Sequence, residues 1–295
     1  MSQLQRLRHQ IESATDLLSV VRTMKTLAAV NIRQFQRAAE SIELYDESVQ
    51  RGLQSLLARH GHLLEGREAP RRRTGLVIFG SDQGMCGAFN ERAREAAASE
   101  LSRLSGADVR PSVLVVGERM GPLLEDVGQP VDDTLRAPNS VAAIPGFVRR
   151  LLGRVDGWRE VRGIDRIVCI HNVARPAGGV RAMSREILPV DPAFLRRLAE
   201  QPWPTRQQPH FSMPAAELFS DLIREHLFVA WYRACAESLA AENAARLSSM
   251  RSAQSNIDER LGTLRADWRR RRQSKITSEL LEIVAGAEAQ HDSGD

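Results

Sequence analysis

The sequence is poor in aromatic residues, lysine, cysteine and long apolar runs. Aromatic residues make up 5% of the 295 residues, and lysine occurs only at Lys25 and Lys275. The three cysteines, Cys86, Cys169 and Cys235, are far apart and form no C-x-x-C pair, which favours a reducing compartment over a disulfide framework. Because no apolar signal core and no run of about 18 apolar residues occurs, we expect neither secretion nor direct membrane insertion.

The numbers of acidic and basic residues are nearly equal. The net charge is +4, from 41 basic and 37 acidic residues. This surplus is too small to indicate a nucleic-acid partner. With 42% hydrophobic residues, many of them alanine, the composition is typical of a globular and largely helical chain.

The N-terminal segment, residues 1–62, has the pattern of one long helix. It contains no proline, and its first glycine is Gly52. Positions spaced alternately three and four residues apart are apolar, with two exceptions, Lys25 and Asp46. These positions are Leu4, Leu7, Ile11, Ala14, Leu18, Val21, Lys25, Ala28, Ile32, Phe35, Ala39, Ile42, Asp46, Val49, Leu53 and Leu56. Such a heptad seam predicts a coiled-coil helix of roughly 85 Å, which would project from any small domain.

The middle segment, residues 71–209, changes to short β-rich runs separated by helical patterns. The runs are TGLVIFG, SVLVVG, DRIVCIHN and MSREILPV. Alternating strands and helices predict a small, mostly parallel sheet, that is, a Rossmann-like α/β domain.

The third segment, residues 212–290, is again helical, with Ser212 as a candidate N-cap. An apolar face is shared by Leu247, Met250, Ile257, Leu261, Leu264 and Trp268, and is continued by Ile276, Leu280, Ile283 and Ala287. This face needs a partner, and the first helix offers one. The predicted fold class is therefore α/β, with a long antiparallel coiled coil of the N- and C-terminal helices and a central Rossmann-like domain.

The stretch GSDQGMCGAFNE, which begins at Gly80, raises the question of a phosphate-binding loop. Its further glycines, Gly84 and Gly87, do not give the G-x-G-x-x-G spacing, and no lysine is near enough for a P-loop. We interpret the stretch as a structural turn in which Asp82 binds turn amides and Asn90 caps the next helix. A nucleotide-binding loop remains the alternative.

Several stretches, in chain order, resemble the signatures of one family. They are VVRTMKTLAAVNIRQFQRA, SDQGMCGAFN, ARLSSMRSAQSNIDERL and RRRRQSKITSELLEIVAGAEA. They resemble the motifs of the γ subunit of F-type ATP synthases, and the C-terminal one is the most specific. Gln83 and Ala88 depart from the usual loop, and Val30 and Asn31 from the usual Ser-Lys. The first stretch is similar to the divergent alternate, or N-type, branch.

The resemblance implies a non-enzymatic rotor with no catalytic residue and no cofactor. In the family, γ is a shaft inside a ring of alternating α and β subunits, and its α/β domain lies against the ε subunit and the c-ring. The implied location is the cytoplasmic face of the bacterial inner membrane. From the residues themselves, we interpret Asp82, Gly84, Cys86 and Gly87 as a structural turn.

The resemblance also marks residues expected to contact the ring. They are Met24, Lys25, Arg246, Arg269, Arg270, Arg271, Arg272, Gln273, Thr277 and Glu279. Residues 246–275 carry nine basic and three acidic side chains, and only acidic ones follow Lys275. Without the resemblance, this pattern is typical of a solvated helix face beside an acidic tail. In the family, the β subunits present acidic loops to the shaft, which favours contact through charge.

Two other functions stay open from the residues alone. One is a coiled-coil scaffold that tethers another complex, and the other is a small nucleotide-binding α/β protein. His171 ends a predicted strand, but because no acid or cysteine partner for it is evident, we expect it to have no chemical role.

Overall fold

A computed structural model describes residues 3–64, 73–104, 110–175, 179–205, 207 and 209–291. The elements, in chain order, are α1 (Gln3–Leu57), β1 (Arg73–Phe79), α2 (Phe89–Leu104), β2 (Ser112–Val116), α3 (Met120–Glu125), β3 (Asp133–Leu135), α4 (Ile144–Arg162), β4 (Ile164–Ala174), β5 (Val180–Leu188), α5 (Pro192–Glu200) and α6 (Ala215–His291). Short 3-10 turns lie at Gly61–Leu64 and Val141–Ala143.

The chain divides into two compact units. The two-helix unit contains the residues up to Leu27 and those from Ser248 onward, and the α/β unit is Ala28–Leu247. The sequence predicted three domains, with the ranges 1–62, 71–209 and 212–290. These boundaries lie near the ends of the long helices and do not coincide with the two compact units, and they stay predictions.

The two-helix unit is an antiparallel pair formed by the first part of α1 and the last part of α6. The predicted seam is the contact face, since Leu18, Val21, Leu261 and Leu264 are each at most 6% exposed. Lys25 interrupts the apolar seam without leaving its ammonium unpaired, because it donates to Gln254 Oε1 at 2.6 Å. The predicted coiled coil is therefore confirmed over this part of the chain.

The end of α6 departs from the expectation that its apolar face is covered by the first helix. Arg22 lies 3.9 Å from Asp258, and in an antiparallel pair the start of α1 at Gln3 then lies opposite about residue 277. Beyond that point α1 offers no partner. The prediction was wrong for this last stretch, because Ile276, Leu280 and Ile283 are 47%, 57% and 68% exposed.

The α/β unit is built on a five-stranded sheet in the order β3-β2-β1-β4-β5. All neighbouring strands are parallel except β4 and β5, which pair as an antiparallel hairpin. The predicted mostly parallel sheet is confirmed, and its four β-rich runs correspond to β1, β2, β4 and β5. The sequence interpretation missed the three-residue β3 and the short helices α3 and α5.

Both faces of the sheet are buried, which explains why β1 reads as a continuous apolar run. Leu76 and Ile78 face one core, shared with α2 and α3, whereas Val77 and Phe79 face the other, shared with α4 and α6. Trp231 of α6, fully buried, lies 6.5 Å from Phe79 between ring centroids. The sheet and α6 therefore share one hydrophobic core.

A third cluster joins the end of α1 to α5 and the beginning of α6. Its buried members are Val49, Leu53, Leu56, Leu57, Leu195, Leu198 and Phe219. Asp46, the second exception in the predicted seam, lies 3.9 Å from Arg233 and accepts from Gln50 at 3.0 Å. Both polar exceptions in the seam are thus matched by polar partners.

Candidate functional site

The loop after β1 is held by side chains from the helix that follows it. Asn90 Oδ1 accepts from the Ser81 N–H at 3.0 Å, and its Nδ2 donates to Ser81 Oγ at 2.9 Å. The helix begins at Phe89, and the Arg92 N–H donates to the Ala88 carbonyl. Asn90 is therefore inside the helix and ties down the loop; the prediction that it caps the helix was wrong.

Asp82 binds backbone amides of two neighbouring connections. Its Oδ1 accepts from the N–H of Glu118 at 3.0 Å, and its Oδ2 accepts from the N–H of Ala137 at 3.0 Å. Glu118 follows β2 and Ala137 follows β3. One carboxylate therefore fixes the exits of three adjacent parallel strands relative to one another.

The rest of the loop turns tightly over buried Cys86. Gly87 and Met85 have φ values of 56° and 61°, and a side chain at positive φ such as that of Met85 is uncommon. Cys86 is 3% exposed and packs with Ala241 and Ala245 of α6. The loop is thus a strained turn clamped between α2 and α6.

The crevice where such folds bind nucleotides is filled by α6. In open parallel sheets, ligands bind outside the carboxyl ends of the strands where the strand order reverses, here beside β1 and β4. At this place Glu242 and Arg246 of α6 form an ion pair at 2.6 Å, and Arg246 Nη2 donates to the Gln83 carbonyl at 3.3 Å. Burial raises the pKa of Glu242, and the Arg246 charge opposes that shift.

This arrangement is unsuited to a phosphate group. A phosphate loop presents free backbone N–H groups and a cation, whereas here Arg246 is already paired and a carboxylate lies beside it. A groove of about 420 Å³ lined by Asp132, Arg154 and Arg162 lies at the other edge of the sheet, where β3 begins. The geometry therefore favours the structural turn over the nucleotide-binding alternative.

His171 has partners that the sequence did not reveal. Its Nε2 is 3.0 Å from Glu237 Oε2, and its Nδ1 is 3.8 Å from Cys169 Sγ. The statement that no acid or cysteine partner exists was wrong. Burial raises the pKa of the Cys169 thiol, so this sulfur stays protonated and is a poor nucleophile. With its side chain 2% exposed, His171 is held as a polar member of the core.

The surface of the two-helix unit carries the predicted basic run. Arg269, Arg270, Arg271 and Arg272 are all exposed, as are the following residues up to Val284. Two of the arginines have neighbours on the helix: Arg270 lies 3.8 Å from Asp267, and Arg272 lies over the Trp268 ring at 5.1 Å from its centroid. No other part of the described two-helix unit covers this face.

Several large apolar side chains of the same unit are about half exposed or more. On α1, Leu17, Val20 and Leu27 are 53%, 51% and 58% exposed. On α6, they are Ile276, Leu280, Leu281, Ile283 and Val284. Exposed apolar rows of this kind mark contact surfaces for other proteins.

A family model described as ATP synthase matches residues 3–290. The chain belongs to the ATP synthase family. The ATP synthase gamma chain of Bdellovibrio bacteriovorus is 25% identical over 294 residues, covering 98% of this chain and 99% of that protein. The ATP synthase gamma chain of Chelativorans sp. is 27% identical over 300 residues, covering 98% and 100%.

Solved ATP synthase structures share the fold of this family member. A chain in the cryo-EM structure of the Euglena gracilis mitochondrial ATP synthase, described as OSCP/F1/c-ring, aligns with a TM-score of 0.64 at 16% identity. The alignment covers 98% of this chain and 95% of that one. A chain in the Tetrahymena thermophila central stalk and c-ring aligns with a TM-score of 0.56 at 22% identity, covering 79% and 99%.

The predicted ring contacts fall into three groups in the ATP synthase chain. The first is exposed: the four arginines, Gln273, Thr277 and Glu279. Met24 and Lys25 are half-buried, with Lys25 in the seam and Met24 next to it. Arg246 has internal partners, with its side chain 12% exposed. Whether any of them contacts a ring stays a prediction.

Sequence reasoning did not single out the exposed apolar residues of α1. The signal was present, because Leu17, Val20 and Leu27 repeat with heptad spacing one position before the seam. Among the described residues, no group of three His, Cys, Asp or Glu side chains could hold a metal. No helix in the described part of the chain is both long and apolar enough to cross a bilayer.

Proposed function

We propose that this chain is the γ subunit of an F-type ATP synthase, the central-stalk rotor that couples ion flow through the membrane sector to ATP synthesis or hydrolysis. The observation that carries the proposal is the end-to-end match: the family model matches residues 3–290, and relatives named ATP synthase gamma chain align over nearly their whole length. The two-helix unit provides the shaft.

The surface of the shaft suits a rotor inside a ring. Leu280, Leu281, Ile283 and Val284 carry no charge and are more than half exposed, so they offer an apolar contact surface to a surrounding partner. Arg269 to Arg272 form a basic collar just before them. In the family, this collar meets acidic loops of the β subunits through charge-assisted contacts.

One asymmetric shaft in a threefold ring produces three different sites. Each of the three β subunits meets a different side of the shaft, so each orientation favours a different conformation and nucleotide affinity in each β. Turning the shaft moves every site through the same series of states. The chain needs no catalytic residue or cofactor for this, and we propose that it is a non-enzymatic subunit.

The proposed partners follow from the same assignment. The α and β subunits form the ring, and the ε subunit and the c-ring lie at the α/β unit. Attachment to the c-ring places the chain at the cytoplasmic face of the bacterial inner membrane as a peripheral protein. The proposed ring contacts are Met24, Lys25, Arg246, the four arginines from Arg269, Gln273, Thr277 and Glu279.

Co-purification tests the proposal. An affinity tag on the chain should recover two larger subunits together with ATP hydrolysis, while the isolated chain should neither bind nor hydrolyse ATP. A scaffold of another complex would recover different proteins without ATPase activity. Calorimetric binding of ATP by the isolated chain would support the nucleotide-binding alternative instead.

A further inference from the structure

The groove at the β3 edge of the sheet is lined along one side by α4, and we call it the α4 groove. The helix contributes Gly153, Arg154, Gly157, Trp158, Val161 and Arg162 to its lining. The groove opens to solvent along the helix, because Gly153 is exposed and Val161, near the end of α4, is 85% exposed. An open trough of this kind suits an elongated segment of another protein better than a small molecule, which is usually enclosed.

Gly153 and Gly157 are helix glycines for which the chain itself gives no reason. Glycine inside a helix is unfavourable relative to alanine, because it loses more backbone freedom on folding. A Cβ added at either position would meet no atom within 4 Å, so a side chain would fit at both. The two residues lie about one helical turn apart on the groove side of α4. Small residues at this spacing let the backbone of another helix approach closely.

The indole of Trp158 points independently to a ligand of the groove. Trp158 is 7% exposed, and its Cζ3 and Cε3 lie 2.7 and 2.8 Å from the position that a Cβ on Gly75 of β1 would take. The opposite edge of the indole, which carries Nε1, therefore points away from β1. Among the described residues, no hydrogen-bond acceptor pairs with this N–H. Because a buried indole N–H usually has an acceptor, we expect the occupant of the groove to supply one.

The side chains around the groove carry one positive charge in excess. Asp132 lies 2.8 Å from Arg162 and 3.6 Å from Arg110, and Asp133 lies 3.4 Å from Arg154. Three guanidinium groups therefore share two carboxylates. One further carboxylate would balance the charge, and a carboxylate is also an acceptor for the indole N–H. An acidic side chain of the occupant meets both requirements.

We propose that the α4 groove is a docking surface for an α-helix of another subunit, whose contact face carries small side chains and one acidic side chain. The small side chains lie against Gly153 and Gly157, and the carboxylate accepts from Trp158 and pairs with the surrounding arginines. The proposal rests on the proposed rotor function for the assembly in which the chain works. Because the groove belongs to the α/β unit and the ring is proposed to surround the two-helix unit, the docking helix comes from a subunit outside the ring.

Thiol labelling of Val161→Cys tests whether the groove is covered. We expect its maleimide labelling rate, measured by peptide mass spectrometry, to fall about tenfold between the isolated chain and the complete membrane-bound complex, and to stay unchanged in a complex of the chain and the ring alone. Val127→Cys, at a position 53% exposed in the same unit, is the matched control and should label equally in all three preparations. Equal rates for Val161→Cys in the isolated chain and the complete complex would overturn the proposal. Equal slowing of both cysteines would overturn it too.

Gly153→Ala combined with Gly157→Ala separates docking from folding. In the isolated chain, we expect the thermal midpoint to rise by about 2–5 °C, because alanine favours the helix and both methyl groups have room. In the complete complex, the same methyl groups should abolish the protection of Val161→Cys. Gly146→Ala, on the same helix but outside the groove, should leave that protection intact. A loss of stability in the isolated double variant, or retained protection in its complex, would contradict the close approach.

Photo-crosslinking identifies the chemistry of the occupant. A benzoylphenylalanine introduced at Glu160, which is exposed beside the groove, should crosslink in the complete complex to a helical segment with an acidic residue among small ones. A crosslink to a basic segment, or to a subunit of the ring, would overturn the proposal. If the chain does not assemble with a ring, the rotor function fails, and Val161→Cys labelling in the assembly that the chain does form still decides the docking surface.

Discussion

Gly117, which follows β2, is the glycine whose replacement should damage the α/β unit most. Its φ of +95° lies in the region that side chains rarely adopt. A Cβ added there would lie 2.7 Å from the backbone N and C of Ser81. The neighbouring atoms belong to backbone, so no change of rotamer can relieve the contact.

The expected cost of Gly117→Ala has two parts. Left-handed backbone costs about 1–2 kcal/mol for a residue with a Cβ, and overpacking against fixed atoms adds about 1–3 kcal/mol. Together they lower the free energy of unfolding by about 2–5 kcal/mol, a large share of the roughly 5–15 kcal/mol of a typical domain. The loop is expected to move as well, because the Ser81 N–H donates to Asn90 Oδ1 and a shift of Ser81 would break that bond.

Gly84→Ala in the same loop is the matched control. The nearest atom to its added Cβ is Arg119 Nη2 at 3.9 Å, an ordinary contact. We expect its free energy of unfolding to stay within about 0.5 kcal/mol of wild type. Urea unfolding followed by circular dichroism measures both variants. Equal losses in the two variants, or a loss below about 1 kcal/mol for Gly117→Ala, would refute the reasoning.

Three further predictions concern charge and exposure. Burial acts to raise the pKa of Asp132, but the Val113 N–H and Arg162 outweigh it and hold that pKa below its ordinary value. The wild type should therefore lose stability as pH falls below about 4, and Asp132→Asn should lose less stability over the same range. If the urea midpoints of the two proteins fall equally with pH, the reasoning about Asp132 is wrong. Replacing Leu280 and Ile283 by serine should change the free energy of unfolding by less than about 0.5 kcal/mol but lower the ATPase rate of the complex; a marked loss of stability would show that they are packed. Changing Arg269–Arg272 to glutamate should weaken docking of the shaft into the ring, and added salt should partly restore ATP hydrolysis by screening the repulsion. Changing the same four residues to glutamine should have a milder effect. If the glutamate variant pumps ions like the wild type at low salt, these arginines are only a solvent-exposed helix face.

Sequence reasoning was most successful where the pattern is local and long. The seam from Leu4 to Leu56 repeats over many turns, and β1 is buried on both faces, so each residue supports the same assignment. The three-residue β3 has no such pattern, because its burial alternates only between half-buried and exposed. Short elements of this kind are fixed by tertiary pairing alone.

The site was harder to predict because its contacts join distant residues. Glu237 lies 66 residues after His171, and Gln83 lies 163 residues before Arg246. No local pattern encodes such pairs. The exposure of the end of α6 was missed for another reason. It depends on which residue of α6 lies opposite the start of α1, whereas the apolar spacing of Ile276 and Leu280 is the same with or without a partner helix.

Rotation of single complexes tests the central claim most directly. Val161, at 85% exposure, offers a site for a new cysteine on the α/β unit, and the native cysteines are all buried. A bead attached through Val161→Cys, in complexes whose ring is fixed to a surface, should turn in one direction during ATP hydrolysis and pause three times per turn. Sustained ATP hydrolysis with a bead that only fluctuates about one position would contradict the assignment of this chain as the rotor.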